Sequence, residues 1–268
     1  KSKKIGIPLK LLVSVTFITM VTVNALSAIL PINGITPGQV SDSYPNLFAP
    51  AGITFSIWGL IYLLLALYTL YLLGMFRRKG KMTNNNLLIK TSIVFSISSL
   101  LNSAWIFSWH YKIIPLSMIL MVLLLLCLIY IVTITNAQSL SFREKLLIRL
   151  PFSVYFGWIT VATIANATAL LVSIHWNGFG LSETTWVIII LIIGALIGSA
   201  TLLKFKNISY GLVLIWAYAG ILIKHTTSLG FSGQYSNVII TISVCLVSFV
   251  AVIGYTISHL SKTKPHTY

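Results

Sequence analysis

The chain has 268 residues, of which 57% are hydrophobic and only 8% are charged. Soluble domains carry about 25% charged residues, so this composition excludes a water-soluble protein and indicates an integral membrane protein. The formal net charge is +15, from 18 basic and three acidic residues. Because nearly all the basic residues lie between or at the ends of apolar runs, an anionic membrane surface accounts for them, and we predict no nucleic-acid partner.

Eight apolar runs follow one another along the chain. Each is long enough for one crossing of a bilayer, which takes about 20 mostly apolar residues. Strands of a membrane barrel would alternate and be about half as long, so the runs predict helices. The predicted fold class is an all-α integral membrane protein with eight transmembrane helices. The runs are 8–30, 52–74, 91–109, 113–135, 152–173, 185–203, 208–224 and 237–259.

The basic residues predict how the chain is oriented. With the amino terminus in the cytoplasm, every Lys and Arg except Lys112 and Lys224 falls on the cytoplasmic side. We therefore predict a multi-pass protein of the plasma membrane with both termini cytoplasmic. Loops rich in Ile, Asn and Lys favour a bacterial source. The alternative for the first run is a cleaved signal peptide ending near "NALSA", but its apolar stretch exceeds the usual 7–15 residues.

Several kinds of chemistry lack the residues that they require. The three acidic residues, Asp42, Glu144 and Glu183, lie in loops, so no span carries a carboxylate for a proton relay. Lys224 lies about 24 Å from the inner start of its helix, near the outer boundary, where a lysine snorkels instead of forming a retinal Schiff base. The five histidines form no metal-ligand motif, and both cysteines lie inside apolar runs. We predict no catalytic residue and no metal site.

Uncharged polar and aromatic residues recur inside the apolar runs. The amides of Asn24, Asn102 and Asn166 must find hydrogen-bond partners, either across helices or in a ligand cavity. Trp109, Trp176 and Trp186 fit the aromatic belt at a membrane boundary. Other aromatic and amide residues share a helix face in pairs, at spacings of four, three and eight residues: Trp58 with Tyr62, Asn102 with Trp105, and Trp158 with Asn166.

Four segments together carry a family resemblance. They are "SDSYPNLFAP" with Tyr44, Leu47 and Pro50; "APAGITFSIWGLIY" with Pro50, Trp58 and Tyr62; "LLNSAWIF" with Asn102 and Trp105; and "WITVATIAN" with Trp158, Thr160, Ala162 and Asn166. In order and helix number they resemble the TspO/MBR family, the tryptophan-rich sensory proteins and translocator proteins. The resemblance covers about residues 8–173. Family members usually have five helices, whereas this chain has three more.

The resemblance implies a division of the chain and a binding site. We predict a TspO-like five-helix unit over 1–173 and three additional transmembrane helices with a basic tail over 174–268. In the family, the loop after the first helix and the tops of helices one, two and five enclose a pocket for flat hydrophobic molecules. The ligand-binding residues that it implies here are Tyr44, Pro50, Trp58, Tyr62, Asn102, Trp105, Trp158 and Asn166.

The resemblance also implies a function. We expect a membrane receptor or sensor that binds a tetrapyrrole or a sterol-like molecule, with no required cofactor and with porphyrin or haem as a candidate ligand. Its expected partners are the lipid bilayer, the small hydrophobic ligand and, by resemblance to shorter members, a second copy of the chain. The alternatives are a facilitated carrier of a small hydrophobic or neutral solute, and an accessory subunit of a membrane complex. The resemblance permits light-dependent porphyrin degradation, for which the residues themselves give no independent reason.

Overall fold

The computed structural model describes residues 5–76 and 84–262. Within them, eight helices are long and apolar enough to cross a membrane, which confirms the predicted all-α fold with eight transmembrane helices. Their bounds are Ile7–Ile29 (α1), Ile57–Leu73 (α2), Asn85–His110 (α3), Ile114–Asn136 (α4), Leu150–Ser173 (α5), Glu183–Phe205 (α6), Ile208–Thr226 (α7) and Ser236–Lys262 (α8). Some basic residues on which the predicted orientation depends lie outside the described residues: Lys1, Lys3, Lys4, Arg77, Arg78, Lys79, Lys81 and Lys264.

Helix α3 begins six residues before the apolar run that predicted it. The side chain of Asn84 accepts hydrogen bonds from the backbone N–H groups of Asn86 and Leu87, at 3.1 and 3.3 Å. This cap satisfies two of the donors that the first turn of a helix leaves without an intrahelical partner. The helix can therefore start in polar sequence, ahead of the apolar residues.

The segment before α5 is also helical, and a capping box begins it. The Ser141 backbone N–H donates to Glu144 Oε2 at 2.8 Å, while the Glu144 N–H donates to Ser141 Oγ at 3.4 Å. One π-helical turn, Lys145–Arg149, then leads into α5. It lies just before Pro151. Because proline has no N–H to donate to the carbonyl one turn back, the wider turn falls where one helical hydrogen bond is missing.

The chain forms two compact units. The first comprises Lys1–Ser43 and Ile57–Ile159, and the second comprises Tyr44–Ser56 and Thr160–Tyr268. The division runs through α5 and gives the loop before α2 to the second unit. A division by compactness is not the same as the division into domains that the sequence predicts. The predicted domain boundary at residue 173 therefore stays a prediction.

In the first unit, α3 packs against α1 and α4, and α1 also packs against α2. Three rings in its core, those of Tyr68, Phe95 and Phe152, meet edge to face with centroids 4.9–5.5 Å apart. Each such pair contributes about 0.5–1.5 kcal/mol beyond the area that it buries. The Tyr68 hydroxyl lies 2.9 Å from Ser92 Oγ, so its polar end is also satisfied.

In the second unit, α6, α7 and α8 pack against one another. Gly194 makes a close approach possible, because a Cβ there would lie 2.7 Å from the hydroxyl oxygen of Tyr218. That hydroxyl donates to the Leu191 carbonyl at 2.8 Å. A small residue thus lets two helices approach, as is usual in membranes.

Helix α7 also holds the loop 44–56. The Ala51 N–H donates to the Gly220 carbonyl at 3.0 Å, and Trp216 Nε1 donates to the Thr54 carbonyl at 2.9 Å. The ring of the fully buried His225 places Nε2 2.9 Å from the Leu47 carbonyl oxygen. These contacts fix the loop that contributes to the cavity described below.

Candidate functional site

The eight sequence-predicted site residues divide between the two units. Helices α2 and α3 and the first part of α5 carry those of the first unit, while the loop 44–56 and the later part of α5 carry those of the second. The first set is Trp58, Tyr62, Asn102, Trp105 and Trp158, and the second is Tyr44, Pro50 and Asn166.

Asn102 connects three helices of the first unit. Asn24 Nδ2 donates to Asn102 Oδ1 at 2.7 Å, and Asn102 Nδ2 donates to the Tyr155 hydroxyl at 2.9 Å. Asn24 Nδ2 also donates to the Met20 carbonyl at 2.9 Å. Both ends of the fully buried Asn102 amide are therefore satisfied between helices, and the amide holds the Tyr155 ring in place.

The ring of Trp58 contacts three other rings. It stacks on Tyr62 with centroids 5.5 Å apart and planes inclined by 15°. Tyr155 and Trp158 meet it edge to face at 5.9 and 6.1 Å. We call these four residues, Trp58, Tyr62, Tyr155 and Trp158, the aromatic cluster. Sequence reasoning missed Tyr155, although its spacing of three residues from Trp158 places both on one face of α5.

The hydroxyl group of Tyr62 sets this residue apart within the aromatic cluster. The Tyr62 hydroxyl oxygen is buried, and it has no hydrogen-bond partner among the described residues. Leaving a buried polar group unsatisfied costs about 1–3 kcal/mol, so native proteins seldom do it without a reason. This hydroxyl is a polar group of the cluster that a bound molecule can satisfy.

Trp105 lies on the same helix as Asn102 and contacts another indole. It stacks on Trp109 with centroids 5.8 Å apart and planes inclined by 21°. Trp109 Nε1 donates to the Pro37 carbonyl at 3.2 Å, and both rings are buried. Trp109 therefore packs inside the protein, one residue before the end of α3, and its place in a boundary belt stays a prediction.

The loop of the second unit carries Tyr44 and Pro50, both half-buried. Between them, Asn46 folds the chain back on itself: its Nδ2 donates to the Tyr44 carbonyl at 2.8 Å, and its Oδ1 accepts from the Phe48 N–H at 3.0 Å. Burial raises the pKa of the Tyr44 phenol further above neutrality than that of an ordinary tyrosine. Asn166 is buried on α5.

A cavity of about 410 Å³ lies within the second unit. The loop segment 45–48, the end of α5 and the start of α6 line it, so Tyr44 lies next to its lining. The volume is within the range of about 300–1,000 Å³ that is usual for small-molecule sites. Leu47, Phe48 and Val187 supply buried apolar surface to the lining.

Two indoles of this cavity were missed as site residues. Trp176 and Trp186 both line it, with ring centroids 4.8 Å apart. Trp186 Nε1 donates to the Gly178 carbonyl at 2.6 Å, which orients the indole. Gly178 has φ +62°, and a Cβ there would lie 2.8 Å from that nitrogen, so this position requires glycine. The sequence signal was the pair of glycines, Gly178 and Gly180, between two tryptophans.

The charge of the cavity differs in sign from that of the whole chain. Among the described residues that line it, Glu183 carries a carboxylate and there is no lysine or arginine. Glu183 is exposed in the first turn of α6, directly after the capping residue Ser182. His175 and Asn177 are the other exposed polar side chains of the lining. No group of three or more metal-binding side chains occurs within 5–76 and 84–262.

The sequence model of the family described as TSPO-like protein matches residues 10–255. The chain belongs to the TSPO-like protein family. The match confirms the family resemblance and extends past residue 173, through α6 and α7 and most of α8. This TSPO-like protein is thus a multi-pass, all-α membrane protein. A search of curated proteins and a search of solved structures each gave no match.

Proposed function

We propose that this TSPO-like protein is a receptor or sensor that binds a flat hydrophobic molecule within the membrane, at the aromatic cluster. The observation that carries the proposal is the buried Tyr62 hydroxyl without a partner, beside the half-buried indole of Trp58. A flat ligand with one polar edge satisfies both groups at once. It stacks on aromatic rings, at about 0.5–1.5 kcal/mol per pair, and its polar edge bonds the hydroxyl.

Tetrapyrroles and sterol-like molecules have this chemistry, and a porphyrin or haem would be bound as ligand and not as a required cofactor. Asn102 contributes by holding Tyr155 against Trp58, through the bond of 2.9 Å between its amide and the Tyr155 hydroxyl. The family resemblance adds Trp105, which lies in the same unit, to the proposed site, while Tyr44, Pro50 and Asn166 of the second unit stay ligand-binding residues predicted from the resemblance. It also supports a homodimer in a bacterial plasma membrane.

Tyr62→Phe tests this proposal, because it removes only the hydroxyl that lacks a partner. We expect protoporphyrin IX, titrated into protein in maltoside micelles and followed by its Soret band, to bind about 5–10-fold more weakly. Stability should stay the same or rise, since no existing hydrogen bond is lost. The matched control is Tyr130→Phe, which removes a hydroxyl from an exposed position on α4.

The control should bind like the unchanged protein. Equal affinities of Tyr62→Phe and Tyr130→Phe for protoporphyrin IX and for a sterol would contradict the proposed site. If the unchanged protein binds neither protoporphyrin IX nor a sterol, the proposed function itself is contradicted.

A further inference from the structure

We propose that the cavity beside Trp176 and Trp186 is a second binding site, and that it takes an amphipathic organic cation: an ammonium group attached to an apolar body. The cavity lies within the second unit, whereas the aromatic cluster lies within the first. The proposal therefore does not depend on tetrapyrrole binding, and each can fail without the other.

The sign of the ligand's charge follows from the lining. The chain has 18 basic and three acidic residues, yet one of those acidic residues, Glu183, lines the cavity, and the described lining contains no lysine or arginine. The other titratable side chain of the lining is His175. A carboxylate in a cavity without a fixed positive charge attracts a cation and repels an anion.

The indoles supply a second attraction for a cation. Trp176 and Trp186 are half-buried, with ring planes inclined by 57°, so they form two walls of a corner. Ammonium groups bind over indole faces, at about 0.5–1 kcal/mol at exposed sites and more when desolvated. The bond from Trp186 to Gly178 holds one of these walls before any ligand arrives.

The rest of the lining selects the body of the ligand. Buried Leu47, Phe48 and Val187 form apolar surface, while Glu183 and Asn177 are exposed polar residues of the lining. A molecule with an apolar body and a cationic end matches this arrangement. A small inorganic cation would leave the apolar surface uncovered, and a fully apolar molecule would leave the carboxylate without a partner.

Three probes with one apolar body separate charge from shape: 2-naphthylmethyltrimethylammonium, 2-naphthylmethanol and 2-naphthylacetate. We expect calorimetric titration of the full chain in maltoside micelles to rank their affinities in the order cation, alcohol, carboxylate. Glu183→Gln should weaken cation binding about fivefold and leave alcohol binding unchanged. Trp176→Leu should weaken binding of both the cation and the alcohol.

The matched control is Glu144→Gln, which makes the same change of charge at a residue outside the cavity lining. Gln also serves in a capping box, so this variant keeps the start of its helix. The control should bind all three probes like the unchanged protein. Equal effects of the two Glu→Gln changes on cation binding would overturn the proposal, and so would a carboxylate probe that binds as tightly as the cation.

The ammonium group could belong to a free amine or to a lipid headgroup, and competition distinguishes these sources. If phosphatidylcholine displaces the cationic probe while phosphatidylglycerol does not, the site takes the headgroup. If neither lipid competes, the site takes a free organic cation. Displacement by phosphatidylglycerol and not by phosphatidylcholine would contradict a cation site of either kind.

Discussion

The amide of Asn102 shows how one polar side chain organises the first unit. Its oxygen accepts from Asn24 and its nitrogen donates to Tyr155, at 2.7 and 2.9 Å. Tyr155 in turn lies against Trp58 in the aromatic cluster. The interhelical alternative that the sequence offered for these amides therefore applies to Asn24 and Asn102, and the proposed contribution of Asn102 to ligand binding is indirect.

We expect Asn102→Ala to destabilise the protein by about 1–3 kcal/mol, because it removes two interhelical hydrogen bonds and leaves Asn24 and Tyr155 each short of a partner. Denaturant unfolding in maltoside micelles measures the change. The matched control is Asn86→Ala, at an exposed position in the first turn of the same helix, and should change stability by less than about 0.5 kcal/mol. Equal losses of stability in the two variants would show that the hydrogen bonds of the Asn102 amide contribute nothing to stability.

At the scale of the element, the connection between α5 and α6 depends on backbone geometry. Gly178 and Gly180 both have positive φ, at +62° and +77°. A Cβ on Gly178 would meet the Trp186 indole, whereas a Cβ on Gly180 would have no heavy atom within 4 Å apart from its neighbours in the chain. Substitution of Gly180 would therefore introduce backbone strain alone, whereas substitution of Gly178 would add a steric clash with Trp186.

Gly180→Ala should cost about 1–2 kcal/mol, the ordinary penalty for a side chain in the left-handed region. Gly178→Ala should cost more, because the same strain is joined by the displacement of Trp186 from its bond to the Gly178 carbonyl. Thermal unfolding measures both variants, and near-ultraviolet circular dichroism should report a changed indole environment only for Gly178→Ala. Identical stability and spectra for the two variants would contradict this account of the connection.

At the scale of the whole molecule, the eight helices were predictable because a bilayer imposes length and apolarity on every span. The partners of individual side chains were not. The sequence indicated that Asn102 needs partners, but the packing of the helices decides that they are Asn24 and Tyr155. A tryptophan in a boundary belt and one in a cavity give the same local signal, so the signal for Trp176 and Trp186 as cavity residues was the pair of glycines between them.

The orientation of the whole molecule is tested by two exposed lysines that lie in different connections. Lys112 lies between α3 and α4, and Lys145 lies in the helical turn before α5. Because positively charged loops stay in the cytoplasm, we propose that Lys145 faces the cytoplasm and Lys112 the exterior. In intact cells, a membrane-impermeant maleimide should label Lys112→Cys at once and Lys145→Cys only after permeabilisation. The unchanged protein, whose Cys127 and Cys245 lie within helices α4 and α8, is the control for background labelling. Labelling in the reverse order would invert the predicted orientation. Because one crossing separates Lys145 from the residues that line the cavity beside Trp176 and Trp186, that cavity would then face the cytoplasm.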